Sequence, residues 1–379
     1  MGAVLLLATG PAGAEGEESR FEWHPSITIH NLWDGNPKLE DNGSQDSVGV
    51  WLYPRMELGY TAPSLDLGAD LGVDFRRYTE VGSLNDEFYR MSGHAEAGLL
   101  PGLSVRVSDE YVPEVRHLGL PEDQGTNLIQ SNRSDAELRY WHELPFTTEI
   151  EVGTTGSYFL SESFAAELPN GVVDTSYKAD YWQVAGFVQL QKDLGRRTSV
   201  FLLSEAGHRD FDDGQRSDHI NSSVVVGVRS QRFRNLELEA SIGYGRIDFE
   251  DLSNQQAPIG EARLTWRLPE GWAARIAGSN DFATNLGGNE VFQASGEVTL
   301  EKEFAKNTTA SVTGFVAHFD DDNLDGGSDL YGGVEVGVQH RFDAHTQVGV
   351  AYRRWENAGD KSTNDFGQNR VTLDFSYRY

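Results

Sequence analysis

The feature that most constrains this chain is a two-residue alternation of apolar and polar side chains that runs on far longer than in ordinary strands. In 48–60 the even positions are Val48, Val50, Leu52, Pro54, Met56, Leu58 and Tyr60, while the odd ones include Trp51, Tyr53, Arg55 and Glu57. In 65–76 the set Leu65, Leu67, Ala69, Leu71, Val73 and Phe75 alternates with Asp66, Asp70, Asp74 and Arg76. Successive side chains of a strand point to opposite faces, so each segment presents one apolar and one polar face. Soluble strands average about five or six residues, whereas membrane-crossing strands need about nine to eleven.

The pattern recurs to the C-terminus. Segments 21–32, 89–99, 103–107, 128–142, 146–160, 181–190, 198–207, 220–229, 236–244, 259–268, 272–280, 292–300, 309–318, 330–340, 347–353 and 371–379 join the two above. Together they predict an all-β fold: a transmembrane, antiparallel, up-and-down β-barrel of about 18 strands, within a range of about 16–18. Connection lengths alternate as well. Short turns such as Thr61-Ala62-Pro63-Ser64 and Glu143-Leu144-Pro145 are separated by long polar stretches near 33–47, 113–127, 161–176 and 319–329. Short periplasmic turns and long extracellular loops give outer-membrane barrels this rhythm.

Composition narrows the remaining classes. The absence of cysteine removes disulfide frameworks, thiolate metal sites and cysteine nucleophiles. With 41 glycines and 11% aromatic residues, the chain is too rich in rings for disorder and too rich in glycine for a helical bundle. A formal net charge of −28 argues against nucleic-acid partners and against peripheral binding to an anionic membrane surface. No window reaches the ~18 apolar residues of a membrane helix. The apolar run from Ala3 to Ala8, followed by Thr9-Gly10-Pro11 and the small residues Ala12-Gly13-Ala14, predicts that 1–14 is the remnant of a secretory signal peptide. Residues 15–20 then form a short linker, and 21–379 a single barrel domain.

A barrel of this size encloses an aqueous channel, so its polar faces hold the candidate functional residues. These are Trp51, Tyr53, Arg55, Glu57, Asp66, Asp70, Asp74, Arg76, Arg133, Asp135, Glu137, Arg139, Glu149, Glu151, Glu237, Glu239, Arg263 and Arg353. Acids and arginines nearly balance there. That predicts a lattice of facing ion pairs on neighbouring strands, with a substrate-selective ladder as the alternative. Trp51, Tyr53, Tyr181 and Trp355 share the polar parity, where rings can stack on sugar faces, although wall packing is the commoner use. Glycines of the apolar parity, Gly93, Gly186, Gly296 and Gly314, mark either protomer contacts or relief of crowding.

Catalytic and metal signals are weak. No G-x-S-x-G, H-E-x-x-H or Walker pattern occurs, and His208 near Asp210 and His219 near Asp218 read as solvated loop residues. Neither an enzymatic activity nor a cofactor is expected. Asp321, Asn323, Asp325 and Asp329 have partial calcium-loop spacing, but the twelfth position is Gly332 instead of a bidentate Glu, so the stretch reads as a solvated acidic loop.

Two resemblances add to this reading. The final segment alternates Val371, Leu373, Phe375, Tyr377 and Tyr379 with polar residues and stops on an aromatic, which is similar to the closing strand of bacterial outer-membrane barrels. That likeness implies that Phe375, Tyr377 and Tyr379 form the signal read by the barrel assembly machinery. Residues 127–159 (NLIQSNRSDAELRYWHELPFTTEIEVGTTGSYF), with the layout of 48–379, resemble the "putative beta-barrel porin 2" group of outer-membrane proteins. The resemblance implies a pore in the outer membrane of a Gram-negative bacterium, with members often encoded beside exopolysaccharide synthesis and export systems. The expectation is therefore a conduit for a secreted polysaccharide that works with periplasmic export proteins. The alternatives are a general diffusion porin with mild cation preference, and a structural or adhesive barrel in contact with lipopolysaccharide. Acids crowding the long loops, among them Glu40, Asp41, Glu122, Asp123 and Asp320, predict an acidic outer vestibule.

Overall fold

The computed structural model describes residues 19–36, 46–82, 85–115, 128–161, 164–167, 173–177, 180–212, 217–284, 290–321, 327–359 and 366–379. The strands in chain order are β1 (Arg20–Asp34), β2 (Ser47–Ala62), β3 (Leu65–Tyr78), β4 (Asp86–Leu100), β5 (Leu103–Val115), β6 (Leu128–Leu144) and β7 (Thr148–Ser161). They continue with β8 (Phe164–Glu167), β9 (Val173–Tyr177), β10 (Tyr181–Gly195), β11 (Thr198–Phe211), β12 (His219–Phe233), β13 (Leu236–Phe249) and β14 (Gln255–Leu268). The last are β15 (Trp272–Thr284), β16 (Glu290–Ala305), β17 (Thr308–Asp321), β18 (Gly327–Arg341), β19 (Thr346–Gly359) and β20 (Phe366–Arg378).

Eighteen of these strands form one closed antiparallel sheet, in which each pairs with its neighbour in the chain, β7 pairs with β10, and β20 returns to β1. The short strands β8 and β9 form a separate hairpin inserted between β7 and β10. Closure gives every strand two partners, which is what a backbone in hydrocarbon requires. The outward face carries the large apolar residues, with Ile242 66% exposed and Val226 and Val298 each 53%. Such exposure inverts the order of a water-soluble protein and fits a wall whose solvent is lipid.

Barrel strands extend beyond their predicted ends, chiefly toward the long loops. The predicted segment 103–107 is the lower part of β5, which reaches Val115, and the first segment runs past Leu32 to Asp34. Backbone pairing needs no apolar alternation, so ladders continue after the lipid-facing pattern stops. One start is corrected in the other sense. Phe146 and Thr147 have φ of 65° and 55° and belong to the turn before β7, which begins at Thr148. A tight connection reverses the chain there, and left-handed backbone cannot continue a strand. At Gly102, with φ 79°, an added Cβ would strike the carbonyl of Trp141, so this hairpin depends on glycine.

The seam between first and last strands is tied along its length. His30 meets Asp374 at 2.5 Å, Arg378 meets Glu57 of β2 at 2.7 Å, and the Tyr379 amide donates to the Pro25 carbonyl at 3.0 Å. Phe375, Tyr377 and Tyr379 face outward here, and the Tyr379 ring lies 5.9 Å from that of Trp23.

Candidate functional site: the inner wall of the barrel

The inward parity is odd on β2, β6, β7 and β10 through β19, and even on β1, β3, β4, β5 and β20. All eighteen candidate wall residues lie on it, and most meet partners on the same or the adjacent strand. Arg55 donates to Asp70 at 3.2 Å. Glu57 accepts from Arg378, and Asp66 meets His94 at 3.1 Å. Arg133 lies 3.1 Å from Asp135, and Arg139 bridges Glu137 at 2.6 Å and Glu151 at 3.1 Å. Glu239 accepts from Arg229 and Glu237 from Arg267, both at 2.7 Å, and Arg353 donates to Glu335 at 2.6 Å. Arg263 is paired with Glu261. Glu149 is half-buried opposite Glu143 and Gln191 in the ladders. These pairs form a lattice of the kind predicted, in which most guanidinium groups meet a carboxylate on the neighbouring strand or two residues along their own.

The lattice has two physical regimes. Toward the short turns it is open: the side chains of Arg267 and Arg263 are 60% and 52% exposed. Toward the long loops it is packed: Asp34 is fully buried, and it accepts from Arg370 at 2.8 Å and from Gln368 at 2.9 Å. The Trp51 ring meets two guanidinium groups, that of Arg76 at 4.7 Å and that of Arg370 at 5.3 Å, with Tyr53 and Tyr78 edge-on at 6.4 and 6.3 Å. Asp74, itself buried, accepts from Arg90 at 3.0 Å. Leu32 and Val81 close this cluster.

A second packed group stands on β7, β10 and β11. There Tyr181 stacks on Phe159 at 5.0 Å, meets Phe211 edge-on at 5.5 Å, and carries the Arg209 guanidinium 4.5 Å above its ring. Trp355 packs against Phe315 at 4.6 Å and beneath Arg353 at 5.3 Å. The rings of Trp51 and Tyr181 are therefore covered: wall packing, the commoner use, holds at these two positions, and the alternative of a sugar-stacking track is not presented there. Cation–π contact and ring packing occupy the surfaces a sugar would need.

Two further expectations change. His208 and His219 are strand residues and not loop residues: His208 meets Trp182 edge-on at 5.5 Å on β11, and His219 is buried at the start of β12, 5.3 Å from Phe249. Neither forms a constellation with Asp210 or Asp218; the Asp218 carboxylate accepts the Phe211 amide at 2.9 Å. In the calcium-like stretch, Asn323 and Asp325 lie outside the described residues, and Asp321 and Asp329 pair with Gly327 and Phe319 in the β17–β18 ladder. Among the described residues no three His, Asp or Glu side chains are grouped to hold a metal. The signal-like segment 1–14 lies outside the described residues, as do many of the loop acids.

Sequence reading missed Asp34, Gln368 and Arg370 because its first segment stopped at Leu32 and its last began at Val371. The signal was present: Asp34 continues the inward parity of His30 and Leu32, and Arg370 that of Asp374.

Comparison with known proteins places this geometry. The sequence profile of the family described as "Putative beta-barrel porin 2" matches residues 19–379. No curated protein matches the sequence. Among solved structures, Pseudomonas aeruginosa OpdK with vanillate is similar at TM-score 0.54 and 13% identity, over 94% of this chain and 99% of that one. OccK2 (OpdF) of the same organism in complex with glucuronate matches at 0.54 and 13%, over 94% and 98%. OccK3 (OpdO) matches at 0.51 and 13%, over 94% and 96%.

Proposed function

Since this chain belongs to the beta-barrel porin 2 family and is an outer-membrane barrel of a Gram-negative bacterium, we propose that it is a diffusion porin with mild cation preference for small polar solutes. The observation that carries this reading is the inner wall itself. Its charges are mutually paired over the open short-turn part, and side chains at its long-loop end are packed and buried. Water and small ions need little more than such a wall, whereas a conduit for a polysaccharide needs a continuous wide bore and accessible aromatic faces. Trp51 and Tyr181 do not offer those faces, so the exopolysaccharide reading has less support than passive diffusion.

Cation preference follows from the excess of acids in a chain of net charge −28, which raises local cation concentration at the mouth. Planar-bilayer recording tests it. A reversal potential in a potassium chloride gradient that favours potassium is expected, and chloride selectivity would overturn the reading. A second reading is passage of small carboxylates, favoured by Arg90, whose guanidinium is anchored by buried Asp74 yet remains 39% exposed. Vanillate and glucuronate, found in two of the similar structures, belong to that class. Block of the potassium current by either acid at low concentration would favour it. In the same frame, Phe375, Tyr377 and Tyr379 act as the segment recognised during assembly. Tyr379→Ala then lowers the amount of heat-modifiable barrel in the membrane fraction.

A further inference from the structure

Cations without a partner are unexpected in a chain with such an excess of acids. Along the inner wall and at the long-loop end, each described lysine and arginine has an ion pair, hydrogen bond or ring contact. The described ones that lack any side-chain partner lie at the short-turn end. Lys306 and Arg341 stand singly on the β16–β17 and β18–β19 connections, whereas the other five, Lys192, Arg196, Arg197, Arg232 and Arg234, cluster on two adjacent connections, β10–β11 and β12–β13, and all are exposed. The two connections are joined directly, since the Gln231 amide donates to the Arg197 carbonyl at 2.7 Å. Asp193 is the one acid among residues 192–197 and 231–235, and the nearby Glu237 and Glu239 are taken by Arg267 and Arg229. The short turns at Pro63-Ser64 and Pro101-Gly102 carry no cation at all.

The same two connections project apolar side chains outward. Leu194 is 61% and Phe233 64% exposed, and Lys192 shares the outward face of β10 with Leu190 and Leu194. A register shift between Ser230 and Phe233 reverses the parity at the end of β12 and sets Phe233 opposite outward-facing Leu236. An aliphatic or aromatic residue pointing away from the barrel, with cations beside it, suits the boundary of a leaflet: the apolar group enters the acyl region, and the ammonium and guanidinium groups reach the phosphates. A soluble acidic partner approaching from the periplasm would make no use of outward-facing Leu194 and Phe233. We propose that the rim formed by these two connections binds the phosphate groups of anionic phospholipids in the periplasmic leaflet of the outer membrane. Because the five cations occupy one sector of the rim, anionic lipid is enriched most strongly beside that sector.

The lack of cysteine in the native chain allows a site-specific test. Gln231→Cys, beside the cations, and Ser64→Cys, on the cation-free β2–β3 turn, each receive a fluorophore. The folded barrels are placed in phosphatidylcholine vesicles containing a minor share of phosphatidylglycerol, with bromine quenchers on the acyl chains of one lipid or the other. Each cation at a membrane surface strengthens attraction for anionic lipid by about five-fold, so phosphatidylglycerol should quench the label at 231 several-fold more than its bulk share predicts. The excess should fall with added salt and vanish when all five residues become glutamine. It should survive when the four arginines become lysine, and should be missing at position 64. Equal quenching by both lipids at 231 overturns the proposal, as does an excess that persists in the glutamine variant or appears equally at 64. Heat-modifiable migration of every variant separates loss of binding from loss of the fold. Capture of an acidic soluble protein without lipid preference counts against the proposal.

Discussion

Arg370 and Arg267 face the same lumen and each meets a carboxylate on another strand, yet their circumstances differ almost completely. Arg370 is 3% exposed against a fully buried Asp34, while Arg267 is 60% exposed beside Glu237. The first pair stands among Trp51, Gln368 and the seam strands, where neither charge retains water. The second stands in open solvent, where water and salt screen it. The chemistry of the pair is constant, and its energetic weight is set by what surrounds it.

The largest test of that contrast is Asp34→Ala, which removes the fully buried carboxylate that Arg370 and Gln368 share. A loss of about 3–5 kcal/mol is expected, read as a lower urea midpoint for the barrel in lipid vesicles. A loss below about 1 kcal/mol would mean that water reaches the packed end and the two regimes are one. Trp51→Ala should cost about 3 kcal/mol by opening a cavity in the packed cluster, and it should raise single-channel conductance by removing a ring from the inner wall. Unchanged conductance would mean that this ring does not limit the current. Glu237→Gln, at the open end, should change stability by no more than about 1 kcal/mol while shifting the reversal potential slightly toward anions.

The smallest effect belongs to the short-turn rim. The Asp343 carboxylate accepts the amides of His345 and Thr346, both at 2.7 Å, and these bonds hold its pKa below the ordinary Asp value. With the folded value depressed, its stabilisation is present above the unfolded pKa of about 3.9 and is lost as pH falls through the lowered folded value. Asp343→Asn should therefore be slightly less stable than the native chain at neutral pH, with the gap closing on acidification in thermal unfolding. A gap that widened in acid would reverse the assignment.

Much of the barrel could be read in advance, and particular residues show why. Leu238, Ala240 and Ile242 alternate with Glu237 and Glu239 over β13, and that local pattern suffices to say which set meets lipid and which the interior. Alternating connection lengths gave the order of the strands for the same reason, since hairpins link neighbours. What could not be read was the company each inward residue keeps. Trp51 and Trp355 look alike in their segments, and only the closed sheet sets Arg370 of the last strand over the ring of Trp51. Asp34 and Arg370 are separated by 336 positions in the chain. They meet because β20 pairs with β1, and the register of that pairing follows from closure and not from any local signal.

By itself the sequence determined that this chain is a membrane barrel, because alternation over long segments is a property of each strand alone and hydrocarbon leaves few other ways to satisfy the backbone. It also determined that the wall carries balanced charge. The tertiary structure decided which charges are buried and which remain wet, which side chains pack together at the long-loop end, and which cations are left unpaired on the rim. Those properties depend on distances between strands remote in sequence, and closing the sheet is what sets them.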